Sequence, residues 1–179
     1  NDYSSTLFIR GSSDYQCLVS FNDIPVLFPY HLGGIFSMFS GNAVSSVSFS
    51  PGIYSAEYSG YLGGRVNIQP EYHSEKNKYH NKISLGLLSS SIFHSNKLSN
   101  LEYYLSYRRT YFDLLTEMIS SVTFPYYFGD FQSGFTYKIS KNQNIEGSIL
   151  HSQDSWKIGY LKKDNTNDLN WGNRVFGLN

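Results

Sequence analysis

The second half of the chain alternates, residue by residue, between two kinds of side chain. The odd positions of 101–111 carry Leu, Tyr, Leu, Tyr, Arg and Tyr, whereas the even positions carry Glu, Tyr, Ser, Arg and Thr. The same period of two recurs in 131–139 and 145–149, on either side of the short segment "KNQN" (141–144). Successive side chains of a β-strand point to opposite faces, so the pattern predicts antiparallel strands with two different faces. Alternating segments of about ten residues are typical of a transmembrane β-barrel, and also of a soluble antiparallel sheet with one wet face.

The composition narrows the class of protein. Aromatic residues make up 17% of the 179 residues, which favours pleated surfaces over helices. Lys and Arg together number 14, as do Asp and Glu, so no net field favours nucleic acid or acidic substrates. Cys17 is the single cysteine, which rules out an intramolecular disulfide. No apolar run approaches the ~20 residues of a spanning helix, and the first ten residues lack a signal-peptide pattern.

The sequence predicts neither an enzyme nor a cofactor. No Ser-His-Asp or Cys-His group has the spacing of a catalytic motif, and no phosphate-binding glycine loop occurs. His73, Glu75 and His80 are metal ligands by type, but nothing fixes their geometry. We therefore predict no metal site.

The first part of the chain has a different texture. Short apolar runs such as "TLFIRG", "CLVSFNDIPVLF" and "RVNIQP" are separated by turn residues and predict a compact unit of short strands. A short helix is expected around Ile35–Phe39 and a further turn near 42–45. The polar stretch that follows predicts a linker. The resulting domain organisation is a compact unit at 1–70, a linker at 71–81 and about six antiparallel strands at 82–179.

Several motifs occur in an order that resembles one family, the TonB-dependent outer-membrane receptors. "FIRG" contains Arg10 and Gly11, "FNDIPV" contains Pro25, and "SPGIYSAEYSGYLGGRVNIQP" is similar to the motif that closes the plug domain of that family. "LSYRRTYFDLL" and "PYYFGDF" resemble early barrel segments. The resemblance covers nearly the whole chain. It implies a mainly β fold, with a plug of small mixed sheet and short helices followed by the first strands of a transmembrane barrel.

Two turns depart from the family pattern. Asn22-Asp23 stands where family members usually have Asp-Gly, and Tyr58-Ser59-Gly60 stands where many have Tyr-Gly-Gly. Asp in place of Gly suggests a changed turn type, although Asp tolerates the left-handed conformation better than most residues.

Turn lengths predict the number of strands. Barrels of this kind have short turns on the periplasmic side and long loops outside. "KNQN" is short, so an even number of strands should precede it, which requires strands at 82–88 and 92–98 with a tight reversal at 89–91. The connections 112–127 and 153–170 then become outer loops.

Six strands are far fewer than the about twenty-two of the plugged barrels of this family, and they cannot close around a plug. The resemblance therefore implies a piece of a longer receptor or one part of a split one. The N-terminal part of the plug and the TonB box that family members carry before it are not in the sequence.

The resemblance also implies function, partners and place. The parent protein would take up a scarce nutrient (an iron chelate, an oligosaccharide or a peptide) across the outer membrane of a Gram-negative bacterium. Its partners would be a TonB-type energy-coupling protein, the nutrient ligand, outer-membrane lipid and the remainder of the barrel, with a surface lipoprotein as a further candidate. The alternative is a soluble or secreted β-domain that binds carbohydrate through an aromatic face.

Candidate site residues fall into three groups. Outer plug loops would form the ligand floor, although aromatic residues there could equally pack the plug against the barrel; the candidates are Phe28, Tyr30, His31 and Tyr54. Sparse charges in the plug strands would pair with charges on the barrel wall, unless they are simply solvated. The plug charges are Arg10, Glu57 and Arg65, and the candidate partners on the barrel wall are Glu102 and Arg108. Backbone turns of the plug would depend on Gly11, Pro25, Gly52, Gly60, Gly63 and Gly64.

Overall fold

The computed structural model describes residues 5–52, 55–58, 60–72, 79–119, 124–158 and 167–178. Residues 5–72 form the N-terminal unit, whose main sheet has the order β2-β1-β6-β5. Strand β1 is parallel to β6, whereas β2 and β5 are antiparallel to their neighbours. A small hairpin, β3–β4, packs beside this sheet. The strands are β1 Cys17–Phe21, β2 Ile24–Pro25, β3 Tyr30–His31, β4 Phe36–Ser37, β5 Val44–Ser50 and β6 Gly64–Pro70.

The core of the N-terminal unit comes from its two central strands and the hairpin. Val19 and Phe21 on β1 pack with Val66 and Ile68 on β6, and all four are buried. Phe39 stacks on Phe21 with ring centroids 5.8 Å apart. Every residue of β1 is buried, which explains why all of them except Ser20 are apolar.

The helices of this unit are single 3₁₀ turns, at Asp14–Gln16, Leu32–Gly34, Gly41–Ala43 and Ala56–Tyr58. The short helix predicted around Ile35–Phe39 is wrong, because Phe36 and Ser37 are β4 and pair with β3. Tertiary pairing outweighs local propensity in such a short segment.

The turn between β1 and β2 consists of Asn22 and Asp23. Both have positive φ, 48° and 65°, and the flanking Phe21 and Ile24 are partners. This is the pattern of a two-residue type I′ hairpin turn, which usually requires Gly at its second position. Asp23 adopts the left-handed conformation itself, and its carboxylate accepts bonds from Arg65 at 2.5 Å and from Asn67 at 2.9 Å.

The described residues from 79 onward contain the six-stranded sheet, an antiparallel meander in chain order. Its strands are β7 Tyr79–Leu85, β8 Ser89–Leu98, β9 Leu101–Thr110, β10 Tyr126–Ser140, β11 Gln143–Ile158 and β12 Asn167–Leu178. Helix α1, Phe112–Ile119, lies between β9 and β10. No described helix is both long enough and apolar enough to cross a membrane.

The predicted number of six strands is confirmed, but some of their ends were misplaced. The first reversal lies at 86–88 rather than 89–91, and the Gly86 amide donates to the Ser89 carbonyl at 2.9 Å to close it. "KNQN" does contain a tight turn, since β10 ends at Ser140 and β11 begins at Gln143. The predicted loop 153–170 is too long, because Gln153 pairs with Gly172 and Ser155 with Asn170.

One face of the six-stranded sheet packs on the N-terminal unit and the other faces away from it. On the packed face, the buried residues occupy even positions, as the period of two predicts: 104, 106 and 110 on β9, and 126–134 on β10. On the opposite face, one row of directly paired residues runs Ile83, Ile92, Tyr107, Phe131, His151, Arg174. The next row runs Asn81, His94, Leu105, Ser133, Ile149, Phe176. In the first row the apolar side chains lie at the β7 end, from Ile83 to Phe131, whereas in the second row Ile149 and Phe176 lie at the β12 end. These outward-facing apolar side chains, which we call the apolar band, therefore cross the sheet diagonally.

Candidate functional site

The N-terminal unit and the six-stranded sheet are the two parts of the structure, and one histidine lies in the contact between them. His31, on β3, is fully buried between two carboxylates of the six-stranded sheet. Its Nε2 lies 2.7 Å from Oδ1 of Asp130 on β10, and its Nδ1 lies 2.8 Å from Oδ2 of Asp154 on β11. Both carboxylates are 1% exposed, so this cluster has almost no access to water.

The second oxygen of each carboxylate is also bonded. Arg108 donates to Oδ2 of Asp130 from Nε at 2.8 Å and from a terminal nitrogen at 2.5 Å. The Tyr126 hydroxyl donates to Oδ1 of Asp154. The ring of Phe128 stacks on the imidazole, with centroids 3.9 Å apart and planes 10° from parallel.

These neighbours raise the pKa of His31 above its usual value. Burial is the largest influence and lowers the pKa, because it disfavours the charged ring. The hydrogen bonds to Asp130 and Asp154, together with their negative charges, act in the opposite direction and outweigh it.

Other polar side chains of the six-stranded sheet donate to backbone carbonyls of the N-terminal unit. Four such bonds run from Arg108 to Ser37 at 2.5 Å, Gln132 to Met38 at 3.3 Å, Asn173 to Phe28 at 3.0 Å and Lys82 to Asn42 at 3.3 Å. Bonds between side chains add to them, from Asn22 to Ser148 at 2.9 Å and from Asn42 to Ser84 at 2.7 Å. The contact combines these polar bonds, in which main-chain oxygens are frequent acceptors, with an apolar cluster. Phe93, Tyr104 and Leu150 of the six-stranded sheet are buried in one cluster with the core of the N-terminal unit.

The predicted charge pairs between the two parts need correction. Arg65 pairs with Asp23 of its own sheet at 2.5 Å, and its guanidinium lies over the Tyr58 ring. Glu102 pairs with Lys97 at 2.6 Å and with Lys138 at 3.7 Å, both on the six-stranded sheet. Arg65 and Glu102 therefore form ion pairs within their own sheets rather than across the contact.

The remaining predicted charges differ among themselves. Arg108 does contact the N-terminal unit, but through the Ser37 carbonyl rather than an acidic side chain. Arg10 is exposed, and its guanidinium packs against Gly52. Glu57 is exposed as well.

Two of the predicted ligand residues line a cavity between the two parts. The cavity has a volume of about 360 Å³ and is lined by Phe28, Tyr30, Asp154, Trp171 and Asn173, together with Thr6, Gly33, Gly34 and Gly172. Phe28 is 81% exposed and has a φ of 50°, a conformation that is strained for an aromatic residue.

The other two predicted ligand residues are His31 and Tyr54. His31 is buried, and the two carboxylates occupy both of its ring nitrogens. We therefore assign it to the contact rather than to the ligand floor. Tyr54 lies outside the described residues. Within the described ranges, no group of His, Cys, Asp and Glu side chains could hold a metal ion.

The predicted glycine turns show two different needs. A Cβ on Gly63 would lie 2.1 Å from Oγ of Ser12 and 2.7 Å from Sγ of Cys17. Gly64 has a φ of 147°, and a Cβ there would lie 2.9 Å from the Ser50 carbonyl. The chain crosses closely at this step. Three further predicted glycines have positive φ, namely Gly11, Gly52 and Gly60, while Pro25 lies in β2 opposite Ser20.

Sequence reasoning missed Asp130, Asp154, Gln132 and Trp171. A usable signal did exist for β10, because Asp130 and Gln132 occupy the same parity as the buried Phe128. A polar residue at a buried position of an alternating strand needs a partner, and here that partner comes from the N-terminal unit.

These features together define a class of fold: a small mixed sheet docked on the inner face of an unclosed antiparallel sheet, as in part of a TonB-dependent receptor. The siderophore receptor PirA from Acinetobacter baumannii has this fold, and its crystal structure matches 86% of this chain with a TM-score of 0.54 and 20% identity. The chain spans 27% of the length of that receptor. No family model matches the sequence, and no curated protein does. The resemblance predicted from the motifs is thus confirmed at the level of the fold.

Proposed function

We propose that this chain is the plug and the first barrel strands of a TonB-dependent receptor that takes up a nutrient across the outer membrane. The observation that carries the proposal is the difference between the two faces of the six-stranded sheet. One face offers donors and carboxylates to the N-terminal unit, while the other bears the diagonal apolar band.

The diagonal course of the band supports a tilted barrel wall. Strands of a closed barrel are inclined by about 35–45° to its axis, so a horizontal lipid layer crosses rows of paired residues obliquely. Ile83 and Leu85 are 70% and 84% exposed near one end of the sheet, while Phe176 and Leu178 are 69% and 73% exposed near the other. A soluble sheet with one wet face would instead place polar residues along whole rows.

The ligand is proposed to contact the cavity beside Phe28 and Tyr30. Strained backbone that presents an exposed aromatic ring is common at ligand-binding sites. Trp171 adds a second ring, and the Asn173 amide supplies a polar contact. Asp154 also borders the cavity, but both of its oxygens are already bonded, to His31 and to Tyr126. Such a lining suits a ligand with flat or aromatic groups and hydrogen-bond donors. The likeness to PirA favours a siderophore over the oligosaccharide and the peptide.

Transport further requires an energy-coupling partner of TonB type, outer-membrane lipid and the rest of a closed barrel. The proposed role of this chain involves no enzymatic activity and no cofactor. A plug is physically necessary because a barrel wide enough to hold it would otherwise leak.

Two measurements on the full-length protein test this proposal. The receptor should sediment with outer membranes and need detergent for extraction, whereas recovery in the soluble fraction would favour the secreted carbohydrate-binding alternative. The variant Phe28→Ala should fold normally, since a surface substitution usually changes stability by no more than about 0.5 kcal/mol.

Growth on ferric siderophores as the only iron source is the functional readout for Phe28→Ala. We expect weaker siderophore binding and slower uptake. Leu62→Ala is the matched control, because Leu62 is 82% exposed on the same unit but does not line the cavity. Equal uptake by the two variants would remove Phe28 from the ligand floor.

A further inference from the structure

The buried cluster around His31 contains more acceptors than a neutral histidine can satisfy. Both ring nitrogens face carboxylate oxygens, at 2.7 Å from Asp130 and 2.8 Å from Asp154. A neutral imidazole carries one N–H and one lone pair, so one nitrogen would face an oxygen lone pair at hydrogen-bonding distance. An imidazolium donates from both nitrogens and satisfies both carboxylates at once.

The other groups around the ring point the same way. Arg108 presents donors to Asp130, and both Tyr126 and the Leu32 amide donate to Asp154. Among the described residues, Arg108 on β9 and Tyr126 on β10 are the charged and titratable side chains that bond the two carboxylates. Phe128 stacks on the ring and carries no charge.

Charge balance distinguishes the two states. With His31 protonated, its charge and that of Arg108 balance the two carboxylates. With His31 neutral, one buried negative charge has no counterpart, which is costly in a site closed to water.

We propose that His31, Asp130 and Asp154 form a proton-binding site that holds the β3–β4 hairpin of the plug against the barrel wall. When the site holds its proton, the hairpin is bonded to two neighbouring strands at once. When the proton leaves, one bond is replaced by repulsion, and the hairpin separates more readily from β10 and β11. The inference depends on the docked arrangement and not on which nutrient is carried.

The direction of the pH dependence follows from the raised pKa of His31. A group whose pKa is higher in the docked state stabilises that state fully below its ordinary value of 6.5. That contribution is lost as the pH rises through the raised value. The hairpin should therefore be held most firmly in mildly acidic solution, and it should loosen as the pH rises above the raised pKa of His31.

Hydrogen exchange of the full-length protein in detergent tests the loosening. Exchange of a peptide covering residues 30–37 is followed from about pH 5.5 to pH 9 and corrected for intrinsic rates, with β1 as an internal reference. We expect protection of 30–37 to fall about tenfold for each unit by which the pKa exceeds its ordinary value. The variant His31→Gln keeps hydrogen-bonding capacity but cannot titrate, so its corrected protection should not depend on pH in this window.

A direct readout covers the case in which His31→Gln fails to fold. Nitrogen-15 chemical shifts of the histidines in the wild-type protein distinguish an imidazolium from either neutral tautomer, and Asp154→Asn should lower the pH at which the His31 signal changes. A neutral His31 ring at pH 6, or equal pH dependence of 30–37 in wild type and His31→Gln, would overturn the proposal.

Discussion

Arg108 should contribute strongly to keeping the N-terminal unit docked. Its guanidinium makes two bonds to Asp130 and one to the Ser37 carbonyl, and its side chain is only 16% exposed. The variant Arg108→Met keeps much of the volume but removes every donor. Breaking a buried ion pair from one side costs about 3–5 kcal/mol. Because His31 still bonds Asp130, we expect the lower end, about 3 kcal/mol, which corresponds to an opening about 150-fold more frequent.

Hydrogen exchange of a peptide covering residues 36–39 in the full-length protein measures this opening. Arg174→Met is the matched control, since Arg174 is exposed on the opposite face of the sheet, and it should leave exchange unchanged. Adding Asp130→Asn to Arg108→Met should cost less than the sum of the single changes, by about 1–3 kcal/mol. Unchanged exchange in Arg108→Met, or strict additivity in the double variant, would refute the reasoning.

Two further predictions concern glycines that face close neighbours. Gly63→Ala should lower the free energy of unfolding by about 1–3 kcal/mol, because its Cβ would overlap the side chains of Ser12 and Cys17. Gly41→Ala should be nearly neutral, because the space around Gly41 is open, and urea titration of both variants checks this. Gly177→Ala should weaken the contact of β12 with the β1–β2 hairpin by a similar amount, since its Cβ would overlap Cδ1 of Ile24. Adding Ile24→Ala should restore part of the urea midpoint, and no rescue would contradict the overlap.

The sequence carried enough information for the fold class and the number of strands. Alternation persists where one face meets an apolar environment and the other meets polar partners, as in 101–107. It fades where both faces are polar. The segment that contains Gln153, Ser155 and Lys157 on one face and Ser152 and Asp154 on the other therefore resembled a loop, although it is the far half of β11.

The candidate site was harder to predict from the sequence than the fold, for a different reason. The predicted charge pairs assumed that a charged side chain on one part finds a charged side chain on the other. In the structure, the backbone carbonyls of Phe28, Ser37 and Met38 are the acceptors instead. Every residue has a backbone carbonyl, so the sequence does not show which ones accept a bond. His31 was selected for its chemistry, but its partners lie 99 and 123 residues further along the chain and only the fold brings them together.

The polar and the apolar parts of this contact oppose separation to different degrees. Each bond to a carbonyl contributes only about 0.5–1.5 kcal/mol net, because water satisfies the same groups once the parts move apart. The apolar cluster that joins Phe93, Tyr104 and Leu150 to the N-terminal unit resists separation more strongly, since its cost grows with the apolar area exposed. The His31 cluster differs from both parts, because its groups are charged as well as buried. Its resistance to separation therefore depends on a proton, whereas that of the neutral bonds around it does not.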